Sequence, residues 1–216
     1  MIYQCFDTQT GRKIASKLLE VKAIKLNPDN PFTWASGWKS PIYCDNRLSL
    51  SFPQVRTYVK EKLSDAIKAN FGDVEVIAGV ATAGIPQGAL IADQLKLPFI
   101  YVRSKSKSHG LTNQIEGKIE AGQKVVVVED LVSTGGSSLA AVRALQEAGA
   151  EVLGMVAIFT YGFPIAKRNF EEANTSLVYL SEYEILLKEA LAQKYIQEET
   201  LETLGKWRED PGNWKK

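Results

Sequence analysis

The segment Val125–Ser138 constrains the fold more than any other part of the chain. It begins with four consecutive valines, which predict a short strand buried on both faces, as in a parallel sheet. Two acids, a run of hydroxyl residues and two glycines follow, and apolar residues then recur at helical spacing up to Gly149. The segment therefore predicts a strand, a loop of small residues and a helix, the unit from which α/β folds are built.

The loop between that strand and helix is suited to binding an anion. Glycines let successive backbone N–H groups turn inward, and the start of a helix adds partial positive charge. Serine and threonine hydroxyls add further donors. Glu129 and Asp130 would repel a phosphate in direct contact, so we expect a long ligand with its phosphate at the loop and its hydroxyls at the acids. Neither a Walker A lysine nor a G-x-G-x-x-G fingerprint is present here.

The segment resembles the phosphoribosyl-pyrophosphate (PRPP) motif of the phosphoribosyltransferases, an aliphatic strand followed by two acids and a Ser/Thr-Gly-rich loop. The resemblance implies that the acids hold the ribose 2′- and 3′-hydroxyls and that Ser133–Ser137 cradle the 5′-phosphate. The residues it assigns to this half of PRPP are Glu129, Asp130, Leu131, Val132, Ser133, Thr134, Gly135, Gly136 and Ser137. An ordinary strand–helix turn with polar residues for solubility is the alternative interpretation.

Composition excludes several classes of function. The chain has 216 residues, enough for one sizeable domain or a domain with a small subdomain. Its net charge of +1 gives no overall field that would recruit nucleic acid or a membrane. No apolar run approaches the length of a membrane span, and two distant cysteines suit a reducing compartment. We therefore expect a soluble cytoplasmic protein.

Aromatic residues flank a predicted turn at Ser36–Gly37, which indicates an aromatic hairpin. The nearby cations Lys39 and Arg47 suit an anionic, planar ligand. The segment is similar to the N-terminal hood of orotate phosphoribosyltransferases, which closes over the active site. That resemblance implies that Lys39 and Ser133 bind orotate. A small hydrophobic cluster without a ligand role is the alternative.

A second loop of small residues follows the strand predicted at Val74–Val80. It reads Ala-Thr-Ala-Gly-Ile-Pro and again exposes backbone N–H groups. The resemblance assigns Thr82, Ala83 and Gly84 to the pyrophosphate, mainly through main-chain contacts. The alternative is a tight connection that needs glycine for its geometry alone.

The segment 103–117, after a strand predicted at Pro98–Val102, is the most polar of the chain and shows no apolar period, so we expect a mobile loop. It resembles the flexible catalytic loop of the orotate enzymes, whose Arg, Lys and His meet the pyrophosphate. By position, Arg103, Lys107 and His109 match the family's catalytic residues. Ser104 replaces a lysine found in some branches, and Lys105 is the candidate to substitute for it. Solvated surface is the alternative.

Two further strands are predicted, at about Glu151–Phe159 and Leu177–Leu180, and Ser181 with Glu184 reads as a helix capping box. Some family members place an orotate-binding arginine near the end of the fourth strand. This chain has none there, so Lys39 or backbone donors are expected to hold the carboxylate.

The predicted fold class is α/β, with a largely parallel five-stranded sheet flanked by helices, as in type I phosphoribosyltransferases. Residues 1–50 are expected to form an N-terminal helix and hood, and residues 51–216 the core with C-terminal helices. The resemblance implies transfer of the phosphoribosyl group from PRPP to orotate in a homodimer with shared active sites. It implies Mg²⁺ held mainly by PRPP, with no ligand from the protein. A phosphoribosyltransferase for another base and a PRPP-sensing regulator remain alternatives.

Overall fold

The computed structural model describes residues 2–34, 37–104 and 114–214. The N-terminal elements are β1 (Tyr3–Cys5), α1 (Thr8–Glu20), β2 (Ile24–Leu26), β3 (Phe32–Thr33), β4 (Lys39–Ser40), β5 (Ile42–Cys44) and a 3-10 helix (Asn46–Ser51). The next are α2 (Pro53–Asn70), β6 (Val76–Val80), α3 (Gly84–Leu95), β7 (Phe99–Val102), β8 (Ile115–Glu116), β9 (Lys124–Val132) and α4 (Gly136–Glu147). The last are β10 (Glu151–Thr160), α5 (Pro164–Glu172), β11 (Leu177–Glu182), α6 (Tyr183–Ala192) and α7 (Glu198–Glu209).

The central sheet of the described residues has seven strands in the order β1-β11-β10-β9-β6-β7-β8. All neighbouring pairs are parallel except β7 with β8. The valines of β9 alternate between two hydrophobic clusters. Val126 and Val128 pack in one cluster with residues of α2, and Val125 and Val127 in another with residues of α4. Burial on both faces explains why four consecutive residues in the first half of this strand, Val125 to Val128, are β-branched.

The predicted fold class is confirmed, with a correction to the number of strands. All five predicted strands are present, and the sheet gains β1 and β8 at its two edges. These strands have three and two residues, too few to show an alternating pattern in sequence. They form because β11 and β7 offer unpaired edges to them.

The predicted capping box at Ser181 was wrong. Ser181 lies inside β11 and donates a hydrogen bond from its hydroxyl to the Gly11 carbonyl at 2.9 Å. The residue that precedes α6 is Glu182, which makes no side-chain capping bond, and Glu184 forms an ion pair with Arg208. Burial against α1 therefore decided the role of Ser181, and local sequence could not reveal it.

The predicted hairpin is present as the antiparallel pair β3–β4, and β2 with β5 forms a second pair beside it. The Asn46 side-chain amide, only 1% exposed, donates to the Asp130 carbonyl at 2.7 Å and anchors this hood to β9. Trp34 donates from Nε1 to the Ile42 carbonyl and packs edge-on against Trp207 of α7. β1 and α1 precede the hood in sequence but pack with the core. The division of the chain into two units at residue 50 stays a prediction.

Candidate active site

Parallel strands place the predicted loops at one edge of the sheet. The loops after β6, β7 and β9 all leave from carboxyl ends of neighbouring strands, where ligands of open α/β sheets bind. A cavity of about 90 Å³ lies between them. Its lining residues are Val80, Ala81, Val102, Arg103, Ser104, Gln114, Ser137, Ala140 and Ala141. The topology thus brings residues more than 50 positions apart in sequence, Ala81 and Ser137, to one site.

The loop after β9 has the geometry of an anion site. Gly135 has a φ of +83°, and a Cβ there would lie 2.8 Å from the Phe170 ring, so both conformation and space require glycine. No side chain caps the start of α4, which leaves its first backbone N–H groups available to a ligand. Asn169 of α5 donates to the Thr134 carbonyl at 2.8 Å and holds the loop from behind.

The two acids lie within β9, although the sequence predicted a strand that the acids follow. Glu129 is 5% exposed, and its carboxylate accepts hydrogen bonds from the Asp130 N–H and the Ser138 hydroxyl, each at 3.0 Å. Burial, and then the charge of Asp130, raise the pKa of Glu129 well above its ordinary value. Burial also raises the pKa of Asp130. Leu131 and Val132 complete the strand. Two adjacent carboxyl groups, both with raised pKa values, therefore lie beside the anion site.

Replacing Glu129 with glutamine is expected to stabilise the ligand-free protein at about pH 8 and to have little effect near pH 4. The folded state holds the Glu129 proton more tightly than the unfolded chain, in which the pKa is about 4.3. The group's contribution to stability is therefore fully present below that value and is lost as pH rises through the raised folded pKa. Glutamine carries no charge, can still accept from the Asp130 N–H through its carbonyl oxygen, and can donate from its amide group to the Ser138 hydroxyl oxygen. Melting temperatures across this pH range test the prediction, and a deficit of the variant that grows with pH would contradict it.

The loop after β6 leads directly into α3. The Ala81–Thr82 peptide bond is cis, and Ala83 precedes the helix without a side-chain capping bond. A Cβ on Gly84 would overlap the Val128 carbonyl oxygen of β9. Glycine is therefore required because the helix start lies against the neighbouring strand, and a Cβ on Gly84 would lie only 3.6 Å from the Cα of Glu129.

Gly84→Ala is expected to lower the free energy of unfolding by about 1–3 kcal/mol, the usual cost of overpacking. For a chain of this length each kcal/mol lowers the melting temperature by roughly 2–4 °C. Gly205→Ala is the matched control, because a Cβ on Gly205 of α7 meets nothing within 4 Å. That control should be neutral or stabilising by up to about 1 kcal/mol. Equal losses in both variants would rule out the close approach of α3 to β9.

Of the predicted pyrophosphate cations, Arg103 lies in the described residues. Its backbone N–H donates to the Gln114 carbonyl at 2.8 Å, and its guanidinium lies 3.4 Å from the Glu116 carboxylate. Arg103 also lines the cavity with Ser137. Lys105, Lys107 and His109 lie outside the described residues, so their roles stay predictions.

The predicted orotate residues lie on two different elements, and their role stays a prediction. Ser133 begins the anion loop, whereas Lys39 is on the exposed hairpin, where its Nζ donates to the Thr33 hydroxyl at 2.9 Å. Arg47 forms a two-pronged ion pair with Asp45 at 2.6 and 3.0 Å. Sequence reasoning missed Asn46 and Tyr161, which join the hood to the sheet edge. The aromatic hairpin was the one sequence signal for this contact, because its exposed rings would be expected to pack against the core, as Trp34 packs against Tyr161.

Comparison with known proteins identifies the family. Residues 50–178 match the family described as phosphoribosyl transferase domain. The orotate phosphoribosyltransferase of Cytophaga hutchinsonii is 60% identical over 205 residues, which are 95% of this chain and 98% of that protein. The enzyme of Listeria monocytogenes is 58% identical with the same coverage.

Solved structures agree with the fold. Orotate phosphoribosyltransferase from Aeropyrum pernix superposes with a TM-score of 0.75 at 26% identity, covering 85% of this chain and 99% of that one. The Mycobacterium tuberculosis enzyme, solved in complex with PRPP, shares the fold with a TM-score of 0.63 at 24% identity, covering 82% and 98%. High identity over nearly the whole length, together with the parallel sheet and its loops, leads to one conclusion. The chain belongs to the orotate phosphoribosyltransferase family of phosphoribosyl transferase domain proteins.

Proposed function

We propose that the chain transfers the 5-phosphoribosyl group of PRPP to orotate, giving orotidine 5′-monophosphate and pyrophosphate. The observation that carries the proposal is the meeting of three loops at one sheet edge, next to a pair of buried acids. The α4 start and its hydroxyls suit the 5′-phosphate, Glu129 and Asp130 suit the ribose hydroxyls, and the loop before α3 suits the pyrophosphate.

The reaction requires stabilisation of developing charge and does not require a nucleophile from the protein, because the base itself attacks the ribose carbon. Breaking the bond to pyrophosphate builds positive charge on the ribose and negative charge on the leaving group. Arg103, Lys107 and His109, with Lys105 beside them, would neutralise the leaving group. Excluding water under the hood would protect the cation-like ribose from hydrolysis.

Mg²⁺ is the metal we propose, and when bound it would neutralise charge on the pyrophosphate. Both oxygens of the Glu129 carboxylate already accept hydrogen bonds within the protein. Among the described residues no group of three or more His, Cys, Asp or Glu lies together as a metal site. Mg²⁺ favours phosphate oxygens and retained waters. The residues present therefore fit a metal held mainly by PRPP.

A panel of bases tests the activity. Orotate, uracil, adenine, hypoxanthine and guanine are each incubated with PRPP and Mg²⁺, and pyrophosphate release is measured. Orotate alone should turn over at an enzymatic rate. Preference for a purine would replace the proposal with a phosphoribosyltransferase for another base. If no base is turned over and the protein binds DNA at low salt, the PRPP-sensing regulator would be favoured instead.

A cytoplasmic location is part of the proposal, since Cys5 and Cys44 are both free thiols, as a reducing compartment allows. Among helices of the described ranges, none has the length and apolar character needed to cross a bilayer.

We also propose a homodimer in which the loop bearing Lys107 completes the partner's site. Chains carrying Asp130→Asn and chains carrying Lys107→Ala should then rescue each other after subunit exchange. About half of randomly exchanged dimers are mixed, and each has one intact site, so about a quarter of all sites recover. No recovery after confirmed exchange would place the loop in its own subunit's site.

A further inference from the structure

Helix α5 contacts the anion loop through two consecutive residues. The Asn169 side-chain amide donates a hydrogen bond to the Thr134 carbonyl at 2.8 Å. The Phe170 ring lies so close to Gly135 that a Cβ on this glycine would come within 2.8 Å of it. In the described part of the chain, no residue of α5 lines the cavity between the three site loops. Direct contact with a ligand in that cavity therefore does not explain why α5 bonds to the loop.

The hydrogen bond from Asn169 determines which way the Thr134–Gly135 peptide unit faces. This peptide bond is trans, and a planar trans peptide directs its N–H opposite to its C=O. Because the Thr134 carbonyl points to α5, the Gly135 N–H points away from α5. Gly135 is the residue that precedes α4, and Ser137 in the first turn of that helix lines the cavity. The Gly135 N–H thus lies at the helix start, on the side of the loop that α5 does not cover.

Gly135 by itself does not select this orientation. Its φ of +83° is left-handed, and glycine adopts positive and negative φ about equally well. Rotating the peptide unit would turn the Thr134 carbonyl outward and the N–H inward. A partial negative charge would then replace a donor at the anion site. Phe170 leaves no room for a side chain at Gly135 but makes no hydrogen bond to the peptide, whereas Asn169 does.

The position of α5 is fixed well enough for this role. Phe170 is fully buried and packs edge-on against Tyr3 of β1, with ring centroids 5.9 Å apart. The Tyr3 hydroxyl is in turn hydrogen-bonded to the Thr160 hydroxyl of β10 at 2.6 Å. The residue after Asn169 is therefore anchored to the central sheet. Asn169 consequently presents its amide to the loop from a rigid support.

We propose that Asn169 is a positioning residue for the 5′-phosphate of PRPP, because its amide holds the Thr134–Gly135 peptide with the Gly135 N–H toward the phosphate. The inference rests on the proposed use of PRPP and deepens it by naming a residue outside the loop that sets the loop's donors. The ligand class that depends on Asn169 is a phosphate monoester. Pyrophosphate, proposed for the loop before α3, should be indifferent to this residue.

Asn169→Leu tests the proposal, because leucine is close to asparagine in size, favours a helix and has no amide. Both peptide orientations become populated, so the apparent affinity falls with the fraction that stays competent. Calorimetric Kd values for PRPP with Mg²⁺ and for ribose 5-phosphate should rise by the same factor, roughly twofold to tenfold. The Kd for pyrophosphate with Mg²⁺ and the kcat at saturating PRPP should change by less than about 1.5-fold, because saturation selects the competent orientation.

Asn70→Leu is the matched control. The Asn70 amide also donates to a backbone carbonyl at 2.8 Å, that of Ala66, and Asn70 is the last residue of α2. Because α2 leads into the start of β6, Asn70 lies at the sheet edge opposite the three loops. This control loses the same type of bond and should keep all three affinities. Asn169→Gln, which retains an amide donor on a longer side chain, should recover part of the affinity for ribose 5-phosphate.

An unchanged Kd for ribose 5-phosphate in Asn169→Leu would overturn the proposal. Equal losses for ribose 5-phosphate and pyrophosphate would also overturn it, since they would indicate a general effect on the fold. Melting temperatures of the two leucine variants should be similar, because each loses one hydrogen bond of the same kind. A wild type that binds ribose 5-phosphate but does not use orotate would reject the proposed function and not the role of Asn169, so the two failures are distinct.

Discussion

Turnover of Lys107→Ala is expected to fall by about a hundredfold or more, with thermal unfolding nearly unchanged. The lysine belongs to the polar segment that follows β7, which has no apolar residues at a regular period to build a core. Its charge is proposed to act where negative charge develops on the leaving pyrophosphate, and removing one such group typically costs about 10²–10³ in kcat. Steady-state kinetics at saturating substrates and melting curves of the same preparations measure the two effects.

Lys118→Ala is the control for that loss. Lys118 is an exposed lysine whose ion pair with Glu120 at 2.7 Å lies on the surface, so its removal should change neither turnover nor stability appreciably. Full turnover in Lys107→Ala would reduce the segment to solvated surface. Lys105→Ala, measured beside it, decides which of the two lysines carries the larger effect.

Asp130→Asn is expected to weaken PRPP binding by roughly tenfold to a hundredfold. This range follows because a hydrogen bond to a charged acceptor contributes about 1.5–3 kcal/mol, and the variant loses that bond. The fold should persist, because burial already disfavours the charge of this carboxyl and raises its pKa. Calorimetric titration with PRPP and Mg²⁺ measures the affinity directly, without requiring turnover.

The control for Asp130→Asn lies near the other end of the same strand. Asp73 is exposed and forms an ion pair with Lys124, the first residue of β9, at 3.3 Å. Asp73→Asn therefore makes the same chemical change at the opposite edge of the sheet. PRPP affinity that is equal in the two variants would remove the acids from the ribose site.

Sequence alone was sufficient for the elements whose signal is local. The four valines of β9 and the small residues after it specify a buried strand and an anion loop, because β-branched packing and glycine geometry act within a few residues. The five main strands and the hood hairpin were recognised in the same way. The family followed from the order of acids, hydroxyls and glycines in one such segment, and the comparisons agree with it.

Tertiary structure decided what depends on distant partners. The edge strands β1 and β8 exist because longer strands offer them hydrogen bonds, and Ser181 became a buried strand residue because α1 lies over it. Burial of Glu129 and the raised pKa that results come from packing around β9, which neighbouring residues do not determine. Tyr161 is the clearest case. In sequence it is an aromatic residue after a strand, and only the tertiary structure shows that Trp34 of the hood and Trp207 of α7 pack against its ring.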